Sequence, residues 1–251
     1  MDGRTTLASG LLLLVGLAPL AGVVLASAPE LEKDVIPTSA GPLEVTFVGH
    51  GTLFFRFDGK VIHIDPYGKL ADYAKLPKAD VVLLTHAHGD HLDPAALAAV
   101  RTAATKLVVA PACKGKVDGA TVLPNGETTT VAGIPIEAVP AYNLVAKRPD
   151  GSPFHPKGEG NGYVLTFGKT RVYVAGDTEN VPEMKALEGI DVAFLPMNLP
   201  YTMTPEMVAD AARAIRPRVL YPYHFGETDP QKLVSLLAGE KGIEVRVRKM
   251  R

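Results

Sequence analysis

The stretch Asp80-Val81-Val82-Leu83-Leu84-Thr85-His86-Ala87-His88-Gly89-Asp90-His91 decides the reading of the fold. Its first half is apolar and β-branched at the centre, the pattern of a strand buried on both faces. Its second half puts three of the chain's seven histidines, and one aspartate, into six positions. A strand end that breaks into a tight loop can aim alternate side chains at one point. Gly89 is expected to give the backbone the freedom to bring Asp90 and His91 round beside His86 and His88. Imidazoles and a carboxylate at this spacing suit Zn2+ or a similar borderline cation, and Mn2+ and Fe2+ fit the same donors. A solvated loop that happens to be rich in histidine is the bland alternative, and the clustering makes it the weaker one.

Working outward, strand-like runs occupy 43–48, 53–57 and 61–64, with the hairpin signal Asp58-Gly59 between the second and third. After the histidines, Asp93-Pro94 opens a helix reaching about residue 102, because Asp93 caps it and Pro94 falls where a missing N–H costs nothing. A strand at 106–110 and short strands within 120–139 follow. Residues 162–167 and 170–175 form a hairpin around Gly168-Lys169, and 191–195 is a strand. Thr204-Pro205 starts a helix with Met207, Val208, Ala211, Ala212 and Ile215 on one apolar face. A strand at 219–223, a helix at 229–237 and a strand at 243–247 close the chain. Two similar halves, each a sheet with helices on one side, predict an α+β fold, a four-layer αββα sandwich.

With 251 residues, 47% hydrophobic and 21% charged, the chain suits one folded domain of generous size, or at most two. A formal net charge of −1 gathers no nucleic acid, so the expected partner is a small-molecule substrate and not a nucleic acid. Cys113 is the single cysteine, which excludes an intrachain disulfide and reads as a packing residue. Arg4, an apolar run broken by Gly16, Pro19 and Gly22, and the small residues Ala26, Ser27 and Ala28 make residues 1–28 a signal peptide. The run is short and interrupted for a span of ~20 residues, so cleavage is expected to leave no stable membrane anchor. The expected location is exported, the bacterial periplasm or the extracellular space. Residues 29–42, with Pro29, Pro37 and Pro42, read as a linker, and 43–251 as the folded domain.

His-x-His-x-Asp-His after a strand resembles the signature of the metallo-β-lactamase superfamily. Gly49-His50-Gly51-Thr52, Ile64-Asp65-Pro66, the histidine cluster, Gly176-Asp177-Thr178 and Tyr223-His224-Phe225-Gly226 occur in that family's order along residues 43–248. Within it, the chain is similar to the branch of ascorbate-phosphate lactonase-like and N-acylphosphatidylethanolamine phospholipase-like hydrolases. The resemblance implies a metal-dependent hydrolase with two Zn2+ ions. It implies that Asp177 bridges them, and that His224 completes the second site with Asp90 and His91. The chain departs from the family between His91 and Asp177. A histidine is usual there, and Val139-Pro140-Ala141-Tyr142-Asn143 stands in its place. The only histidine of the interval is His155. Either it folds back as the replacement ligand, or the first metal is weakly held, or the site holds one metal.

His50 and Asp65 are expected beside the ligands, Asp65 as acceptor for a ligand imidazole's second N–H and His50 as a hydrogen-bonding group. His63 is expected only to pack. The catalytic candidates are Asp90, which orients water, and Tyr142 and Lys157 (with His155), which supply a proton or a positive contact. The reaction implied is attack of metal-activated water on a lactone, ester or phosphodiester. The alternatives are a non-catalytic metal-binding protein on the same fold, or a β-lactamase.

Overall fold

The computed structural model describes residues 1–3 and 31–250. The signal-peptide reading of 1–28 therefore falls almost wholly outside the described residues. From residue 31 onward the described chain forms two seven-stranded sheets. The first holds β1 (Glu32–Thr38), β2 (Gly41–Gly49), β3 (Thr52–Phe57), β4 (Lys60–Ile64), β5 (Val81–Leu84), β6 (Lys106–Val109) and β7 (Thr121–Val122), side by side in chain order. The second holds β8 (Thr128–Val131), β9 (Ile134–Ala141), β10 (Gly160–Phe167), β11 (Thr170–Val174), β12 (Val192–Pro196), β13 (Val219–Tyr223) and β14 (Glu244–Val245), also adjacent in chain order. In each sheet four antiparallel strands give way to parallel pairing, from β4 onward in the first and from β11 onward in the second. The two halves thus repeat one topology.

Burial along β5 shows how the layers form. Val81 and Leu83 belong to the core between the sheets, while Val82 and Leu84 join an outer cluster with Ala96, Leu97 and Val100 of α1 (Pro94–Val100). Successive strand residues face opposite sides, so an unbroken apolar run is what a doubly covered strand requires. Phe47 and Phe55 from the first sheet meet Phe194 of the second at ring-centroid distances of 6.3 and 6.0 Å, and Phe47 meets Tyr221 at 5.1 Å. On the far side α3 (Pro205–Ile215) and α4 (Pro230–Leu237) bury Val208, Ala212, Ile215, Leu233 and Leu237. The helix starts are those expected: Asp93, Thr204 and Asp229 accept backbone N–H bonds ahead of Pro94, Pro205 and Pro230. A short α2 (Pro182–Lys185) was not legible in the sequence.

The linker reading of 29–42 is corrected. Residues 32–38 are β1, paired antiparallel with β2, and Pro37 stands opposite Pro42. β1 is the edge of its sheet, where a residue without an N–H is tolerated, and Pro42 stands at the start of β2, ahead of its pairing with β3 from Glu44 onward, so neither proline excludes a strand. Arg248 and Tyr221 both donate to the Asp34 carboxylate, tying this edge to the end of the chain. The last strand is shorter than the expected 243–247, and α1 ends at Val100. Cys113 is buried, and burial pushes its thiol up to about 12, as befits a packing residue.

His63 packs as expected, stacked on Phe54 at 4.9 Å with Nε2 donating to the Pro77 carbonyl at 3.0 Å. Burial pushes its imidazole down to about 4 against the pull of the Pro77 bond. The unfolded chain therefore takes up a proton that the folded chain refuses between that value and the ordinary 6.5. The neutral ring's contribution is fully present above about pH 6.5 and is lost as pH falls towards 4, about 3 kcal/mol in all. Denaturant unfolding between pH 4.5 and 7.5 should show a shallower loss of stability towards acid in His63→Phe than in the parent; parallel curves contradict this.

Candidate metal centre

The nominated residues sit where strands end. Asp65 follows β4, His86 follows β5, Asp177 follows β11 and His224 follows β13. His50 lies in the turn between β2 and β3. The halves are joined at this level: the His224 N–H donates to the His50 carbonyl at 2.9 Å, and the Asn161 N–H to the Thr85 carbonyl at 2.8 Å. His50, Asp65 and His224 adopt φ of 50, 45 and 46°, a region that non-glycine residues rarely occupy and that concentrates at functional sites.

The glycine that matters is not the one expected. Gly89 has no left-handed φ, and a methyl there would meet open space. At Gly51 a Cβ would lie 2.6 Å from Cε1 of His91 and 3.1 Å from Cδ2 of His224. At Gly176 (φ 65°) it would lie 2.7 Å from the Asn161 carbonyl oxygen and 3.0 Å from Thr85 Cβ. These two glycines let the backbones close on the site.

Asp177 is the hub. Its Oδ2 lies 3.3 Å from Nε2 of His155, 3.5 Å from Nε2 of His224 and 3.9 Å from Nε2 of His86, and its Oδ1 lies 3.5 Å from Nε2 of His91. Two sets of donors flank it. Ligand atoms of His86, His88 and His155 converge within 4.8 Å of one another, as do those of His91, Asp177 and His224, and of His50, Asp90 and His224. The structure thus brings His155 beside His86 and His88. Asn143 puts it there: Asn143 Oδ1 accepts from the His155 backbone N–H at 2.7 Å and from Nδ1 at 2.9 Å. His50 Nε2 is 3.1 Å from Asp90 Oδ2. Asp65 is buried and accepts from the Thr85 N–H at 2.8 Å and from His91 Nδ1 at 2.7 Å, which holds the His91 ring in one orientation.

Several buried atoms here have no hydrogen-bond partner: Nε2 of His91, His155 and His224, and Oδ1 of Asp177. An unpaired buried polar atom costs ~1–3 kcal/mol, so four in one place need a common partner. Bound metal would supply it, and nitrogen with carboxylate oxygen is a donor set for Zn2+, Mn2+ or Fe2+. The charges agree with this. Burial alone would raise the Asp177 carboxyl, yet the imidazoles of His224 and His91 hold it well below the usual carboxylate range. Burial would likewise lower His91, and the Asp177 and Asp65 carboxylates instead raise it to about 9.

Two catalytic expectations are corrected. The Tyr142 hydroxyl donates to Glu183 at 3.0 Å, and Lys157 Nζ reaches Glu183 at 2.8 Å and the Tyr142 oxygen at 3.2 Å. Neither lines the cleft over the histidines. Lys157, with a side chain 64% exposed, instead braces its loop against α2. Spacing alone could not show which way these side chains turn. The cleft, of about 490 Å³, is lined by His50, His88, Asp90, His155, Asp177 and His224, and also by Arg148, Phe154, Asn198 and Tyr201. The last four, and the buried Glu179, lie in loops without a sequence pattern that marks them.

A profile of the β-lactamase superfamily domain matches residues 44–224. The chain belongs to the metallo-β-lactamase superfamily. Among curated relatives, a UPF0173 metal-dependent hydrolase of Methanopyrus kandleri is 33% identical over 223 residues, 82% of this chain and 95% of that protein. Another of Thermococcus onnurineus is 34% identical over 75% of this chain and 87% of its own. Of solved structures, a protein of Parabacteroides distasonis named as a metal-dependent hydrolase is 46% identical, with a TM-score of 0.84 over 88% of this chain and all of that one. The metallo hydrolase Igni18 of Ignicoccus hospitalis is 28% identical, with a TM-score of 0.68 over 83% and 95%.

Because Asn143 holds both the backbone N–H and Nδ1 of His155, Asn143→Ala should weaken metal binding about 10–100-fold, read by competition with a chromogenic chelator; unchanged affinity would contradict a His155 ligand positioned by Asn143. Lys157→Ala should leave kcat/KM within about threefold and cost at most ~1 kcal/mol of stability, as exposed ion pairs do; a hundredfold loss of kcat would restore Lys157 to the catalytic set.

Proposed function

We propose that this metal-dependent hydrolase is exported, binds two divalent ions, zinc first among them, and cleaves a lactone, ester or phosphodiester of a small molecule. The observation that carries the reading is the set of unpartnered buried donors around Asp177. His86, His88 and His155 would hold one ion, and Asp90, His91 and His224 the other, with Asp177 between them. Bound there, the ions would supply Lewis acidity and bring the pKa of a water down towards neutrality.

The chain's own residues perform the rest. Asp90 is 36% exposed at the cleft wall, and its Oδ2 is held by His50 Nε2. It is placed to orient a water against a carbonyl or phosphorus centre. The His50 bond keeps that carboxylate ionised, against the burial that would raise it. Asp65 fixes the ring of His91, so that Nε2 faces the site without a search among rotamers. A cleft open to solvent on one side, with its donors at the base, fits turnover of a small molecule better than closed storage of metal.

The test is metal analysis and turnover together. Purified protein should carry close to two transition-metal ions per chain. It should hydrolyse one class among aryl esters, lactones and bis(4-nitrophenyl) phosphate, lose that activity on dialysis against chelator and recover it on metal return. Asp177→Asn should lower kcat at least a hundredfold while the protein stays folded. Metal without turnover of any of these would make the chain a metal-binding protein on this fold, and turnover confined to a chromogenic cephalosporin would make it a β-lactamase. Activity untouched by chelation or by Asp177→Asn overturns the reading.

A further inference from the structure

The outer side of the cleft holds four residues that metal binding does not use: Arg148, Phe154, Asn198 and Tyr201. Arg148 is the one lysine or arginine among the residues lining the cleft. Its guanidinium is placed from two directions. Nη1 donates to the Pro153 carbonyl at 2.7 Å, and Cζ lies 5.4 Å from the centroid of the Phe154 ring. Phe154 meets Tyr201 edge-on, at 5.0 Å and 80°.

The segment that carries Arg148 is itself fixed. The buried Glu179 carboxylate accepts from the backbone N–H groups of Leu144, Val145 and Ala146, each at 2.7 Å. Asn143 Nδ2 donates to the Tyr201 carbonyl at 2.9 Å, which joins the Arg148 segment to the loop of Tyr201. Much of the rotamer freedom an arginine loses on binding a ligand is therefore lost already on folding. Its Nε and Nη2 have no hydrogen-bond partner among the described residues, while one donor suffices for Pro153. A guanidinium with free neighbouring donors matches two oxygens of a carboxylate or phosphate side by side. Tyr201, 44% exposed, offers its ring at the same mouth, where an exposed large apolar group has a recognition role to play.

We infer that the substrate carries, besides the group that is cleaved, an anionic group bound by Arg148 and a flat apolar portion resting on Phe154 and Tyr201. This deepens the hydrolase reading and rests on it for the word substrate. It says nothing about the ions, and it narrows neutral esters and simple lactones to poor substrates.

The test measures binding and turnover separately, on the metal-loaded full chain. Isothermal titration follows benzylphosphonate, phenylacetate and the neutral phenylacetamide on the parent, on Arg148→Gln and on Arg148→Met, with metal content and Tm checked in each. Both anions should bind the parent at least tenfold tighter than the amide. Both Arg148 variants should weaken the anions about 10–100-fold and leave the amide within twofold. Phe154→Leu should weaken all three alike. The tighter of the two anions tells whether a carboxylate or a phosphate is the natural group. Anion affinity unchanged in both Arg148 variants, as when the anions sit on the metals alone, overturns the proposal. If the hydrolase reading fails instead, no ester, lactone or phosphodiester turns over, while the Arg148-dependent binding pattern persists.

Discussion

Asp177 is a carboxylate taken out of water and surrounded by the imidazoles of His86, His91, His155 and His224, with Nε2 atoms 3.3 to 3.9 Å from its oxygens. A buried charge without compensation is expensive, so the strand ends around it are built to meet it. The second sheet delivers Asp177 and His224, and the first delivers His86, His88, Asp90 and His91. Neither half can complete the arrangement alone. The aromatic contacts between the sheets and the backbone bonds His224 to His50 and Asn161 to Thr85 thus act on the site as well as on stability. The left-handed backbone at His50, Asp65 and His224 marks where the chain bends sharply to bring those side chains in.

The architecture was legible where a local pattern had one physical solution. The apolar run ending in Leu84 could only be a doubly covered strand, and the Asp-Pro and Thr-Pro pairs could cap helices and do little else. The four candidate ligands at His86, His88, Asp90 and His91 fall within six residues, so their convergence needs only one loop. Asp177 and His224 are ordinary residues in isolation and became legible through the order of motifs along the chain. β1 was missed because prolines argue against strands in general, whereas at a sheet edge the missing N–H faces no partner.

What stayed out of reach depends on contacts between loops distant in sequence. In the sequence Asn143 merely stands where a histidine is expected; its clamp on His155 twelve residues on exists only in the folded loop. Glu179 gathers three backbone N–H groups, an interaction with no periodic signature. Tyr142 and Lys157 are near the site in sequence, yet they turn towards Glu183, and the cleft is shaped by Arg148, Phe154, Asn198 and Tyr201 instead. Chemistry is therefore written in the strand ends, and selectivity in loops whose side chains take their direction from tertiary packing.

The central claim is that two cations sit on either side of Asp177 and that His155 replaces the absent family ligand. Anomalous diffraction from crystals of the purified protein, recorded on both sides of the zinc, iron and manganese edges, tests it most directly. The account predicts two peaks, one bounded by His86, His88 and His155 and the other by Asp90, His91 and His224, with Asp177 reaching both. Full occupancy by transition metal at some other place, or a first peak that His155 does not touch, contradicts it.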